Sequence, residues 1–296
     1  MPVREKLTLF QSLSILGLAF ISLSAAEASN DGLHPDPRMH GVGIDHPTWS
    51  MAKYEEEVRL HPKSAVAYLE RGNARMNDAD IELAMTDFDK AIACDPRCTR
   101  AYIGRYFVYC DLRKFDQALA QSKKAIELGP PDLAIDALNL QANLHKELKQ
   151  FPLALAEYDR VIKSNLLSKR RLSWAYLQRG VVHDRLGQNA QAIEDYSTAI
   201  KQDPELGKAY VYRANDYRDL GDIKRALADY AFVVERVEHP PAGVRGGGFD
   251  SERKDVYHFR SILYTRIGRP DLARADKAAE LRQNRMDVDL SPFQSR

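Results

Sequence analysis

The sequence predicts an all-α solenoid of stacked helical hairpins, and three observations carry that prediction. Small and aromatic residues return at a spacing of 34 residues, as from Tyr68 to Tyr102 and from Tyr176 to Tyr210, and a fixed period of this length marks a repeat architecture. Pro96, Pro130 and Pro204 fall at matching places in their units, where they stop one helix before the next hairpin begins. The chain has 296 residues, 44% of them apolar and 29% charged, a composition that buries a core without disulfides or metals.

Taken in order, residues 1–28 have the parts of a secretory signal: Arg4 and Lys6, an apolar run from Leu7 to Leu23, and the small residues Ala26 and Ala28 around Glu27. Cleavage after Ala28 is expected, giving a periplasmic or secreted protein with no stable membrane span. The other reading is an uncleaved anchor, which the Ser and Gln content of the run makes a poor one. No cysteine precedes Cys94, so the signal does not end in a lipid-modified cysteine. Residues 29–46 read as a flexible lead. It holds His34, His40 and His46 beside Asp36 and Asp45, without the short ligand spacing of a metal site.

Residues 47–63, with Tyr54, Val58, Leu60 and Pro62, read as a lone second helix that caps the array. Residues 64–285 then hold six units. The first carries Gly72, Ala84, Phe88, Ala91 and Pro96; the second carries Tyr102, Ala118, Ala125 and Pro130. A weaker third has Ala142, Ala154 and Tyr158, and six extra residues, 166–171, follow it. The fourth shows Tyr176, Gly180, Ala192, Tyr196, Ala199 and Pro204, and the fifth Tyr210, Gly221, Ala226 and Tyr230. Residues 239–250 are rich in Pro and Gly and form a loop insertion, either tolerated at the surface or in contact with a partner. The last unit has Tyr257, Tyr264, Gly268 and Ala273, with Lys277 and Glu280 giving it the polar face a terminal repeat requires. Residues 286–296 are a tail.

This pattern of aromatics, Gly, Ala and Pro resembles the tetratricopeptide repeat family. The resemblance implies a right-handed superhelix of helical hairpins whose first helices line a concave groove that binds other proteins. Transferred to this chain, the groove takes Asn73, Arg100, Asn143, Lys146, Arg185, Lys208, Asn215 and Arg218, over an apolar floor of Val66, Leu69, Ile103, Phe107, Trp174, Leu177 and Val211. Asn side chains clamp an extended backbone with donor and acceptor. The carboxylate clamp of chaperone-binding members is not reproduced, because Leu69 and Tyr212 stand where basic side chains are needed.

Where the family usually has Leu, this chain repeats arginine, and an aspartate follows sixteen residues later in four units: Arg71 with Asp87, Arg179 with Asp195, Arg213 with Asp229, and Arg260 with Asp276. In the other two, Arg105 is followed by Gln121 and Gln141 by Glu157. These pairs are expected to be structural ion pairs, within a hairpin or between neighbours.

The 43 Lys plus Arg against 42 Asp plus Glu, a formal charge of +1 interleaved along the chain, give no nucleic-acid footprint. Serine-hydrolase, zinc-protease and phosphate-loop motifs are absent from the sequence, and no catalytic residue, cofactor or metal is expected. Of the three cysteines, Cys94 and Cys98 lie close enough to bridge, against the alternative of three small buried side chains. A non-enzymatic scaffold that binds segments of other proteins is the expected function, with self-association, or a metal or enzymatic role for the N-terminal histidines, as alternatives.

Overall fold

A computed structural model of the chain describes residues 50–239 and 253–290, with side chains given for 50–239 and 255–282. Among the described residues there are thirteen α-helices and no strand. They fall into two compact units, one ending at Leu148 and one beginning at Lys149.

The first unit holds α1 (Met51–Leu60), α2 (Ala65–Asn77), α3 (Ile81–Cys94), α4 (Thr99–Asp111), α5 (Phe115–Leu128) and α6 (Pro131–Glu147). The pairs α2/α3 and α4/α5 are hairpins, and the first helices of neighbouring hairpins also touch. Ser64 starts α2 by accepting a hydrogen bond from the Ala67 N–H at 3.2 Å. Helices α3 and α5 end two residues before Pro96 and Pro130, since the residue before a proline is disfavoured in helical conformation. Phe88, Ala84 and Ala91 on α3 are fully buried with Ala101 and Val108 on α4. A methyl group on Gly72 or Gly104 would meet the Phe88 ring at 2.7 or 2.6 Å, so both glycines are seats for one aromatic from two directions.

The second unit holds α7 (Phe151–Lys163), α8 (Lys169–Arg185), α9 (Asn189–Gln202), α10 (Gly207–Asp219), α11 (Ile223–Glu238), α12 (Arg253–Arg266) and α13 (Pro270–Leu290). Tyr196 takes the role of Phe88: a methyl on Gly180 would meet its ring at 2.6 Å. A larger cluster follows around Tyr230, Val233, Val256 and Leu263, all fully buried.

Three boundaries differ from expectation. The extra residues after the third unit do not all form a loop: α8 starts at Lys169, where the Ser168 hydroxyl accepts from the Arg171 N–H at 3.4 Å, so the insertion extends α8 by about one turn. The capping helix is α1, ten residues from Met51. The last helix runs to Leu290, past the expected limit at 285. Residues 1–28, the histidines of the lead and the insertion from residue 240 lie outside the described residues.

Candidate protein-binding surface

The repeated arginines stand on the first helix of each hairpin and the aspartates on the second. Arg71 binds Asp87 through two parallel bonds, Nε to Oδ2 at 2.9 Å and Nη2 to Oδ1 at 2.7 Å. Arg179 binds Asp195 at 2.9 and 2.5 Å, Arg213 binds Asp229 at 2.8 and 2.8 Å, and Arg260 binds Asp276 at 2.9 and 2.7 Å. Each guanidinium also lies over the aromatic three residues earlier, 5.4 to 5.9 Å from the ring centroids of Tyr68, Tyr176, Tyr210 and Tyr257.

The spacing could not foresee what the remaining nitrogen does. Arg179 Nη1 reaches back to Asp159 on α7 at 2.6 Å, and Arg213 Nη1 to the Ser197 hydroxyl on α9 at 3.0 Å. Arg105, whose sixteen-residue partner would be Gln121, turns instead to Asp89 on α3 at 3.1 Å. One planar fork thus ties its own hairpin and also the preceding one, a task that lysine, with a single head atom, does not perform. Arg75 adds a second cation on Asp87 at 2.7 Å, and Gln141 receives the Ser122 hydroxyl at 3.2 Å. The aspartates within the hairpins, Asp87, Asp195, Asp229 and Asp276, are buried, whereas of the two that bridge to the next hairpin, Asp89 is exposed at the surface and Asp159 half-buried.

Of the polar residues assigned to the binding face, Asn73, Arg100, Asn143 and Lys146 belong to the first unit, and all four are half-buried. Arg100 on α4 faces Glu70 on α2, whose carboxyl is pushed up to about 7 by burial, with Arg100 pulling the other way. Lys146 pairs with its neighbour Glu147 at 3.2 Å.

In the second unit Arg185 is exposed at the end of α8. The Lys208 ammonium lies over the Trp174 ring at 5.6 Å. Asn215 Oδ1 accepts from the Tyr230 hydroxyl at 2.5 Å and from Arg218 Nη1 at 3.1 Å, so its acceptor is occupied and a two-sided amide clamp is not available there. Arg218 Nε also donates to Asp219 at 2.8 Å.

The apolar floor is corrected. Leu69, Ile103, Leu177 and Val211 are all buried in the cores, because each first helix turns that position onto a neighbouring helix. Val66 is exposed, and Phe107 and Trp174 are half-buried.

Sequence reasoning passed over Asp216. Its register on α10 is that of Val108, Leu144, Val182 and Leu263, all fully buried in their hairpins, so an aspartate in an apolar phase was the available signal. Burial and the neighbouring Asp184 push its carboxyl up to about 7.

All three cysteines are unbridged: Cys94 is exposed, Cys98 half-buried and Cys110 buried. Among the described residues no group of three His, Cys, Asp or Glu is placed to hold a metal ion, and no helix is long and apolar enough to cross a membrane.

A fold of helical hairpins locked by arginine forks defines an all-α repeat protein. Residues 175–206, the fourth unit, match the tetratricopeptide repeat family, and the chain is a tetratricopeptide repeat protein. It is 26% identical over 193 residues to stress-induced-phosphoprotein 1 of Caenorhabditis elegans, covering 56% of this chain and 60% of that one. It is also 26% identical over 189 residues to the human mitochondrial import receptor subunit TOM70, covering 58% of this chain and 29% of the relative. The chain thus matches only part of the length of these relatives. Among solved structures it resembles Pseudomonas aeruginosa pilF, with a TM-score of 0.60, 16% identity, and coverage of 82% of this chain and 99% of the other. YrrB gives a TM-score of 0.52 at 18% identity, covering 71% and 99%.

Proposed function

We propose that this protein is a non-enzymatic scaffold that binds segments of other proteins along the first helices of its hairpins. The observation that carries this reading is the set of side chains on α8 and α10. The Lys208–Trp174 stack and the Arg218–Asn215–Tyr230 network hold charged and amide groups in fixed, half-buried positions. Pre-fixed groups lose little freedom when they recognise a peptide. Relatives of this chain include one named a Hsp70-Hsp90 organizing protein, from Triticum aestivum, and the structure of YrrB is described as having an unusual peptide-binding site. Both descriptions agree with a role in holding proteins together. Binding of a chaperone C-terminus stays disfavoured, since Leu69 is buried and Tyr212 packs on Tyr196, their ring centroids 5.9 Å apart.

The test is affinity capture with wild-type protein and with the Lys208→Ala, Arg185→Ala double variant, both changes lying outside the arginine forks. Loss of captured proteins at unchanged helical content supports the surface; retention of all of them removes it. The protein is placed in the periplasm or outside the cell on the residue pattern of 1–28. The mass of the protein recovered from its source checks this, cleavage after Ala28 being the expected result.

A further inference from the structure

The α10 slot that holds Asp216 is a core slot in other hairpins, and a carboxyl there contributes no packing that valine would not. It is 2% exposed, and its Oδ2 is enclosed without a hydrogen-bond partner, an arrangement that is unfavourable unless something completes it. The arginines of the second unit do not complete it. Arg213 is committed to Asp229 and Ser197, and Arg218 to Asp219 and Asn215. The remaining polar neighbours are acids: Asp184 from α8, which shares a hydrogen bond with Asp216, and Asp219 one turn along α10. Burial raises the Tyr196 hydroxyl on α9, and the charges of Asp216 and Asp184 add to that rise. Asp184 and Asp219 are exposed, so the cluster opens outward.

We infer that this recess, formed by Asp184, Asp216 and Asp219, receives a lysine or arginine side chain from a bound protein segment. The inference rests on the peptide-binding reading and specifies its chemistry. Three carboxylates against one committed guanidinium leave a local negative excess, and a basic side chain supplies both the charge and the N–H donors that are lacking. A metal ion is the weaker occupant, because Asp219 is already paired with Arg218 and the three carboxylates are not placed as a metal-holding group. Burial keeps a proton on Asp216 up to about 7, and that proton passes to solvent when the ammonium or guanidinium takes its place. Binding is therefore tighter above neutrality than below it.

The experiment selects short random peptides on the full chain, in parallel on wild type and on the Asp184→Asn, Asp216→Asn double variant. The expected result is enrichment of Lys or Arg at one fixed position on wild type, falling roughly tenfold on the variant. Glu194→Gln, an exposed acid on α9, should leave the enrichment intact. If the double variant fails to melt cooperatively, Asp184→Asn alone, at an exposed position, carries the same comparison. Peptides enriched without a basic position, or with one indifferent to the variant, overturn the recess and leave peptide binding standing. Enrichment of no peptide on either protein overturns the peptide-binding reading and the recess with it.

Discussion

Arg179 is shared between two hairpins: Nε and Nη2 grip Asp195 of its own, while Nη1 holds Asp159 of the one before, at 2.6 Å. The same fork recurs at Arg213, with Ser197 in place of Asp159. Register between hairpins is therefore set by directional bonds as well as by apolar packing, and a cation with fixed planar geometry is the group suited to that.

Removing one partner of such a pair leaves the other charged and enclosed. Asp87→Ala strands both Arg71 and Arg75 and is expected to destabilise the first unit by about 3 kcal/mol. Replacing Arg71 and Asp87 together by leucine is expected to cost far less, since no buried charge remains without its partner. Chemical denaturation of the two variants checks the difference. Equal losses would mean that the fork contributes through packing alone.

Glycine at two kinds of site should respond differently. Gly180→Ala drives a methyl into the Tyr196 ring and should cost on the order of 1–3 kcal/mol through overpacking. At Ala79, an exposed turn residue with φ of 62°, Ala79→Gly relieves a left-handed backbone and should raise stability by about 0.5 kcal/mol. Thermal melting of both variants reads the opposite signs.

Asp216, at about 7 in the fold against 3.8 for the unperturbed acid, binds its proton more tightly folded than unfolded. Its contribution to stability is fully present below the lower value, declines as pH rises between the two, and stays lost above the higher one. Asp184 and Asp219 add to the shift and Arg218 opposes it, while Glu70, also near 7, acts in the same direction. The melting temperature should therefore fall by a few degrees from mildly acidic to mildly alkaline pH, and Asp216→Asn should remove about half of that slope, Glu70 carrying the rest. An unchanged slope in the variant would remove Asp216 as its source.

The thiols should react in order of exposure. Cys94 is open to reagent, burial pushes Cys98 up, and Cys110 is pushed up to about 12, again chiefly by burial. Because the thiolate is the reactive form, a thiol reagent on the native protein should modify Cys94 quickly, Cys98 slowly, and Cys110 only on unfolding. Fast labelling of Cys110 would show that α4 opens locally.

The sequence by itself determined the all-α class, the hairpin period and the arginine–aspartate pairing, because each is a local or fixed-distance property. A seat for an aromatic needs Gly or Ala at one place, a helix stops before Pro, and a residue sixteen positions on lies across the same hairpin. Only the tertiary structure decided where Arg105 turns, since Asp89 belongs to the preceding hairpin and no fixed spacing encodes that choice. It also sealed Leu69, Ile103, Leu177 and Val211 into the core, because whether a helical position faces a groove or a neighbour depends on the packing of adjacent first helices. The enclosure of Asp216 is likewise tertiary: its out-of-phase position was legible, but its burial comes from helices brought together by the fold.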